Sequence, residues 1–208
     1  FEYQPLATFN ESGITAPAYA VTKHYDIQHP NDDLETVTFV DGFGRSVQVK
    51  KDGVVTSASK GNSAKDENVM IVSGRNVYDA FGRVAKSFYP TTEGTGSKST
   101  FSKSFDNVSP TVTVYDVLDR ATSVTLPDNS TTTTAYTVDN GSHALVTTVT
   151  DALHNVQATH TNGSGKTLKT IQKSGPDGEI TTSFEYDGIQ RLVRVTDTEG
   201  NVTASTYD

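Results

Sequence analysis

Aspartate and glutamate number 25 in this 208-residue chain, and carboxylates held in pairs can move protons as general acid and base. No paired-acid spacing stands out among them. The sequence also lacks Gly-x-Ser-x-Gly, His-Glu-x-x-His and a phosphate-binding loop. His154 and His160 would share one face of a continuous strand and could in principle form a zinc pair, but no third ligand is evident nearby. Oxygen-rich clusters that would suit a hard cation occur at Asn31-Asp32-Asp33, Asp128-Asn129, Asp139-Asn140-Gly141 and Asp197-Thr198-Glu199-Gly200-Asn201. There is no EF-hand loop, and turn chemistry explains the same residues without a metal. The expectation is a non-enzyme with no catalytic residue, no metal and no cofactor.

The carboxylates that do follow a rule are those placed four residues before an arginine. These units are Val40-Asp41-Gly42-Phe43-Gly44-Arg45, Tyr78-Asp79-Ala80-Phe81-Gly82-Arg83, Tyr115-Asp116-Val117-Leu118-Asp119-Arg120 and Tyr186-Asp187-Gly188-Ile189-Gln190-Arg191. A degraded copy stands at Thr150-Asp151-Ala152-Leu153-His154-Asn155, and the chain stops on Tyr207-Asp208. The aspartates recur at roughly 35 to 38 residues, the mark of a repeat architecture. An Asp here can cap a turn by accepting backbone N–H bonds. The Arg could close on that carboxylate, or on the Asp of the adjoining unit, in a two-pronged pair worth about 0 to 1 kcal/mol when exposed. Its contribution is then to geometry. Gly44 and Gly82 suit a backbone with positive φ, whereas Asp119 and Gln190 stand at the equivalent place and leave room for a local difference in the turn. Each Tyr is expected to bury its ring against the ring of the next unit while its hydroxyl finds a polar partner.

Those units must be carried on strands. Threonine is over-used, strong helix formers are scarce, and residues 180–186 alternate cleanly, with Ile180, Thr182, Phe184 and Tyr186 on one face. Asn140-Gly141 and Pro176-Asp177-Gly178 supply hairpin turns. Residues 1–35 are expected to be an extended lead-in with a first partial repeat, and 36–208 one continuous array. Residues 55–68 and 91–107, rich in Gly, Ser, Lys and Thr, are expected to be exposed, mobile loops. No helix is expected.

A net charge of −8 argues against nucleic acid as a partner. No run approaches the roughly 20 apolar residues of a membrane span. The chain has no cysteine, which rules out disulfide staples. Phe1 is not an initiator methionine and the chain ends inside a unit, so a piece of a longer protein is expected.

Tyr-Asp-x-x-Gly-Arg, then a strand, a Pro-Asp-Gly or Asp-x-x-Gly-Asn turn, a Thr-rich strand and Tyr-Asp again is the pattern of the Rhs, or YD-repeat, family. Residues 184–208 resemble it most closely, and residues 18–26 and 36–45 resemble stretches of bacterial proteins related to the B component of Tc toxins and the SpvB group. The resemblance implies an all-β fold, a curved antiparallel sheet of repeated β-hairpins forming part of a hollow shell around a toxin polypeptide. The family's self-cleaving aspartate segment has no match in this chain. The implied function is a non-catalytic piece of such a shell, from a secreted or surface-delivered bacterial protein. Its partners would be the rest of its own polypeptide or the toxin cargo, and possible partner toxin subunits. The alternative is a secreted or surface adhesive module that binds carbohydrate through exposed tyrosines such as Tyr136, one of nine in a chain without tryptophan.

Overall fold

The computed structural model describes residues 1–5, 8–10, 13–25, 27, 33–58, 63–102, 108–173 and 178–208, with the backbone alone for 8–10 and 13–16. Asn31, Asp32, Pro176 and Asp177, expected in turns or clusters, lie outside the described residues. The chain packs as two compact units, Phe1–Val112 and Thr113–Asp208.

The first unit is built on a six-stranded antiparallel sheet. It takes β1 (Glu2–Gln4), β4 (Ala18–His24), β5 (Leu34–Val40), β6 (Ser46–Ser57), β7 (Lys65–Ser73) and β10 (Thr91–Gly94), adjacent in that order. A small hairpin joins β2 (Thr8–Asn10) to β3 (Gly13–Ala16), and β8 (Asn76–Tyr78) pairs with β9 (Val84–Ser87). Alternation in β5 explains the core: Glu35, Val37 and Phe39 are buried while Thr36, Thr38 and Val40 are half-buried. Val21, Val37, Lys50 and Val72 are successive cross-strand partners and share that inner face. The lead-in expected at the start of the chain thus contributes a full strand, β4, paired with β5 over its whole length.

Residues 91–102 of the stretch expected to be an exposed, mobile loop are largely exposed but are docked on the sheet, and residues 103–107 lie outside the described residues. After β10 pairs with β7, one 3-10 turn (Thr95–Ser97) brings the segment over the inner face of the sheet. Phe101 meets Phe39 edge-on at 5.5 Å between ring centres. Gln48 and Ser102 exchange two hydrogen bonds, of 3.0 and 2.9 Å. The fully buried Lys50 ammonium donates to Glu93 at 2.5 Å and to the Ser97 carbonyl at 2.9 Å, and Lys98 pairs with Glu35. This strap holds through single long-range contacts, so no periodicity announces it. Within 55–68 the described residues are exposed, as expected, but 55–57 and 65–68 are strand: β6 and β7 stay paired out to Ser57 and Lys65, with Thr56 Oγ1 donating to Asp66 Oδ1.

The second unit is a meander. After β11 (Thr111–Tyr115), which crosses the boundary between units, come β12 (Ala121–Thr125), β13 (Thr131–Asp139), β14 (Ala144–Thr150) and β15 (Val156–Thr161). Then follow β16 (Thr167–Lys173), β17 (Glu179–Tyr186), β18 (Leu192–Thr196) and β19 (Val202–Ala204). Each strand lies beside the next in chain order, and from β12 onward every described pair is antiparallel. Among the described residues of this unit only Ala144 and Val146 are buried, so the sheet is a single layer without a core of its own. The only helical element among the described residues of the chain is the 3-10 turn of the first unit.

Candidate functional site

The four Asp-x-x-x-Arg units fold into one turn, repeated nearly atom for atom. In the first, the Asp41 N–H donates to the Arg45 carbonyl at 2.9 Å and the Gly44 N–H to the Asp41 carbonyl at 3.0 Å. Asp41 Oδ1 accepts the N–H groups of Phe43 and Arg45 at 2.8 and 3.0 Å, and Oδ2 accepts Arg45 Nε at 2.7 Å. Asp79 with Arg83, Asp116 with Arg120 and Asp187 with Arg191 repeat these bonds. Of the two partners the spacing leaves open for each arginine, it takes its own Asp. The fourth turn residue has positive φ throughout: 74° at Gly44, 82° at Gly82, 62° at Asp119 and 67° at Gln190. The turn therefore does not change where glycine is replaced, because the carboxylate's three N–H partners impose it against a strain of about 1 kcal/mol.

These bonds set the charge state. Partial burial of Asp41 works to raise its pKa, but hydrogen bonds from the Arg45 side chain and from the Arg45 and Phe43 backbone prevail and lower it. Asp79 and Asp116 are lowered in the same balance. At Asp187 the backbone and side chain of Arg191 are the leading causes of the lowering. A carboxylate so engaged is a poor general base near neutral pH.

Three of the four arginines then reach a tyrosine ring further along the chain. The Arg45 guanidinium lies over the Tyr78 ring at 4.1 Å, Arg120 over Tyr136 at 3.9 Å and Arg191 over Tyr207 at 4.6 Å. The Tyr hydroxyl closes the contact on the carbonyl just after the arginine: Tyr78 on Ser46 at 2.9 Å and Tyr207 on Leu192 at 2.7 Å. The expected ring-on-ring packing is thus replaced in these pairs by guanidinium stacking, since the Arg side chain, pinned by its Asp, already occupies the space beside the ring. Tyr115 is half-buried at the end of β11, and Asp208 is exposed beyond β19.

Further turns with these backbone bonds escape a search for Asp and Arg, at residues 126–130, 162–166 and 197–201. Asn162-Gly163-Ser164-Gly165-Lys166 has the same backbone bonds, Gly165 at φ 77°, and Asn162 Oδ1 accepting the N–H groups of Ser164 and Lys166. Tyr186 donates to the Thr167 carbonyl at 2.9 Å, and Lys166 lies 5.9 Å from its ring centre. Asn for Asp and Lys for Arg was the signal to look for. Strand order also re-phases the repeat. The turns at Asp116, Asn162 and Asp187 follow odd-numbered strands and lie on one edge of the second unit, whereas that at Asp151 follows β14 and lies on the opposite edge. The unit there is two strands and two turns, roughly 21 to 25 residues, and the longer spacing between aspartates mixes the two edges.

The rival chemistries find little to work with. His154 sits in the turn of residues 151–155 and His160 near the far end of β15, about 20 Å away along an extended strand, so they cannot share a zinc ion. His160 Nδ1 instead faces Asp139 at 3.7 Å. Asp128, Asp139 and Asp197 bind backbone N–H groups of their own turns. Among the described residues no group of three or more His, Asp or Glu is placed to hold a metal. Tyr136, the tyrosine offered for sugar stacking, has one ring face against Arg120. A cleft of about 390 Å³ in the first unit is lined by Asp41, Arg45, Gln48, Arg75 and Tyr78; Asp41, Arg45, Gln48 and Tyr78 bond within the protein, as does Arg75 through Nη2.

With this geometry, an open all-β meander of antiparallel hairpins stapled by turns, the protein is of the β-repeat class. The chain belongs to the family described as Domain of unknown function (DUF6443), whose model matches residues 14–132. No curated protein matches it. Its fold is that of solved structures described as TcdB2-TccC3 without hypervariable C-terminal region (18% identity, TM-score 0.62, 88% of this chain) and TcdB2-TccC3-TEV (18%, 0.63, 92%). TcdB2-TccC3-Cdc42 is similar at 17% identity and TM-score 0.60 over 88% of the chain. The chain spans 10% of the length of each of these. The likeness to Tc-toxin proteins that the sequence pattern implied is found again in the fold.

Proposed function

We propose that this chain is a non-catalytic wall segment of a YD-repeat shell that encloses and presents a toxin polypeptide, in a secreted or surface-delivered bacterial protein. The observation that carries the reading is the Asp–Arg–Tyr staple. It fastens successive hairpins edge to edge, and the second unit so built is one layer thick without a core. A layer of that kind separates two spaces rather than filling one. The fold shared with TcdB2-TccC3 structures supports it, and the Asp and Arg signatures serve as fasteners rather than reagents.

The test uses the longer natural protein that contains this sequence. A protease titration should leave a discrete polypeptide inside the wall undigested, and substituting Arg120 and Arg191 by alanine together should make it digestible at lower protease. If the enclosed region is cut as readily as an unfolded chain before any substitution, the enclosing role is wrong.

A further inference from the structure

Phe43 and Phe81 stand third in their Asp-x-x-x-Arg turns and are 86% and 82% exposed. The turn does not require a ring there. Ser164 and Glu199 occupy the same place in turns closed by the same bonds, each N–H donating to the side-chain oxygen of residue 162 or 197 as those of Phe43 and Phe81 donate to Asp41 and Asp79. Each phenylalanine has its own arginine 5.0 Å from the ring centre, a contact that Leu118 and Ile189 forgo at the matching place before Arg120 and Arg191. Single exposed apolar residues are ordinary on a protein surface, but these two stand together.

Arg45 joins the two tips. Its guanidinium lies over the Tyr78 ring at the start of the second turn, and a side-chain carbon added at Gly82 would meet its Nη1 at 3.2 Å. Gly42-Phe43-Gly44 and Ala80-Phe81-Gly82 are exposed throughout and hold no charged or hydrogen-bonding side chain. The charges that flank them cancel, Asp41 with Arg45 at 2.6 Å and Asp79 with Arg83 at 2.7 Å. Among the described residues of the second unit the apolar tips are apart. Leu118 and Ile189 lie on one edge with the polar turns of residues 139–143 and 162–166 between them, and Leu153 lies on the other.

What such a pair can enter follows from its backbone. The N–H groups of Phe43, Gly44 and Arg45 are taken up by Asp41, and those of Phe81, Gly82 and Arg83 by Asp79, at 2.8 to 3.0 Å. A tip whose donors are satisfied within its own turn can leave water without stranding them. A sugar or a polar peptide would need those donors for itself. Two phenylalanines cover roughly 300 to 500 Å², short of the about 800 Å² per partner that a stable protein pair buries, which disfavours a second copy or a folded protein as occupant. Two convex knobs would also need matching pockets in a folded partner, whereas a fluid lipid layer closes around them.

We propose that Phe43 and Phe81 form a paired tip that enters the headgroup boundary of a lipid surface and holds the protein against it without crossing. The proposal does not rest on the enclosing reading and gives the first unit a task of its own. Because each arginine is already paired with its aspartate, the apolar rings drive the contact, and it depends on neither lipid charge nor salt.

The test floats the longer natural protein through a density gradient with phosphatidylcholine vesicles. A fraction of the protein should rise with the vesicles, unchanged when phosphatidylserine is mixed in or when salt goes from about 0.05 to about 0.5 M. Phe43→Ser with Phe81→Ser should lower that fraction by roughly tenfold or more, and Ser164 shows that the turn keeps its bonds with serine in that place. Phe43→Leu with Phe81→Leu should keep most of it. A native protein that does not float overturns the proposal, as does a double-serine variant that floats like the native protein. A leucine pair as weak as the serine pair points to ring-specific recognition, as of a sugar, and overturns it. Flotation that appears only with phosphatidylserine and vanishes at high salt assigns the contact to charge elsewhere and overturns it too. A native protein that sediments as a dimer, while the double-serine variant sediments as a monomer, names a second copy as occupant and also overturns it. Protease protection in the longer protein judges the enclosing reading separately.

Discussion

The guanidinium carbon of Arg120 lies 3.9 Å from the centre of the Tyr136 ring, while its Nε donates to Asp116 Oδ2 at 2.7 Å. One side chain therefore fixes its own turn and the strand two positions further along the meander from that turn's first arm. Arg45 with Tyr78 on β8, and Arg191 with Tyr207 just beyond β19, repeat the stacking, which makes these arginines joints between hairpins.

Arg120→Ala should cost about 1 to 2 kcal/mol, the sum of a partly exposed ion pair and a cation–π contact. The melting midpoint should fall by about 2 to 8 °C in a thermal scan. Tyr186→Phe, which removes a 2.9 Å bond, should lose about 1 kcal/mol. Tyr136→Phe loses a 3.5 Å contact and should change little. Equal losses from the two Phe variants would argue against the hydroxyl as a fastener.

Gln190 is held at φ 67°, where glycine is unstrained. Gln190→Gly should therefore raise stability by up to about 1 kcal/mol, net of the added freedom of the unfolded chain. Gly82→Val at the matching place should destabilise by more than that. Urea midpoints compare the three proteins directly.

The Lys50–Glu93 pair locks the strap onto the first unit with the lysine fully buried. Glu93→Leu strands that ammonium and should cost about 3 to 5 kcal/mol. Combining it with Lys50→Met should recover most of the loss, since an apolar pair of similar size needs no counter-charge. Hydrogen exchange should show β5 and β6 opening in the single variant and closed again in the double.

The signature aspartates have folded-state pKa values below the ordinary 3.8, so the folded protein binds fewer protons than the unfolded chain as pH falls toward that value. Their stabilisation is complete above about pH 4 to 5 and is lost as pH drops below the ordinary value, through the lowered folded ones. Glu35 and Glu93 are also lowered: burial raises each, and bonds from Lys98 and Lys23, or from Lys50, Ser102 and Ser97, outweigh it. Urea midpoints at pH 7 and pH 5 should agree as far as these groups decide them, with a steep fall below pH 4. A large loss between pH 7 and 5 would point to groups other than these carboxylates.

The sequence by itself determined the turns and the strands between them. An Asp that bonds the backbone two and four residues ahead, and an Arg that bonds that Asp, are local devices written in adjacent letters. Alternation did the same for β5 and β17, because side chains point to opposite faces with period two. Tertiary structure alone decided the phase of the repeat, since which edge a turn occupies depends on counting every intervening strand, including the one ended by Asn162 and Lys166. It alone decided the strap, whose bonds join residues 43 and 54 apart in sequence. It also decided which faces are buried. Such contacts depend on register summed across several strands, and no short window of sequence contains that sum.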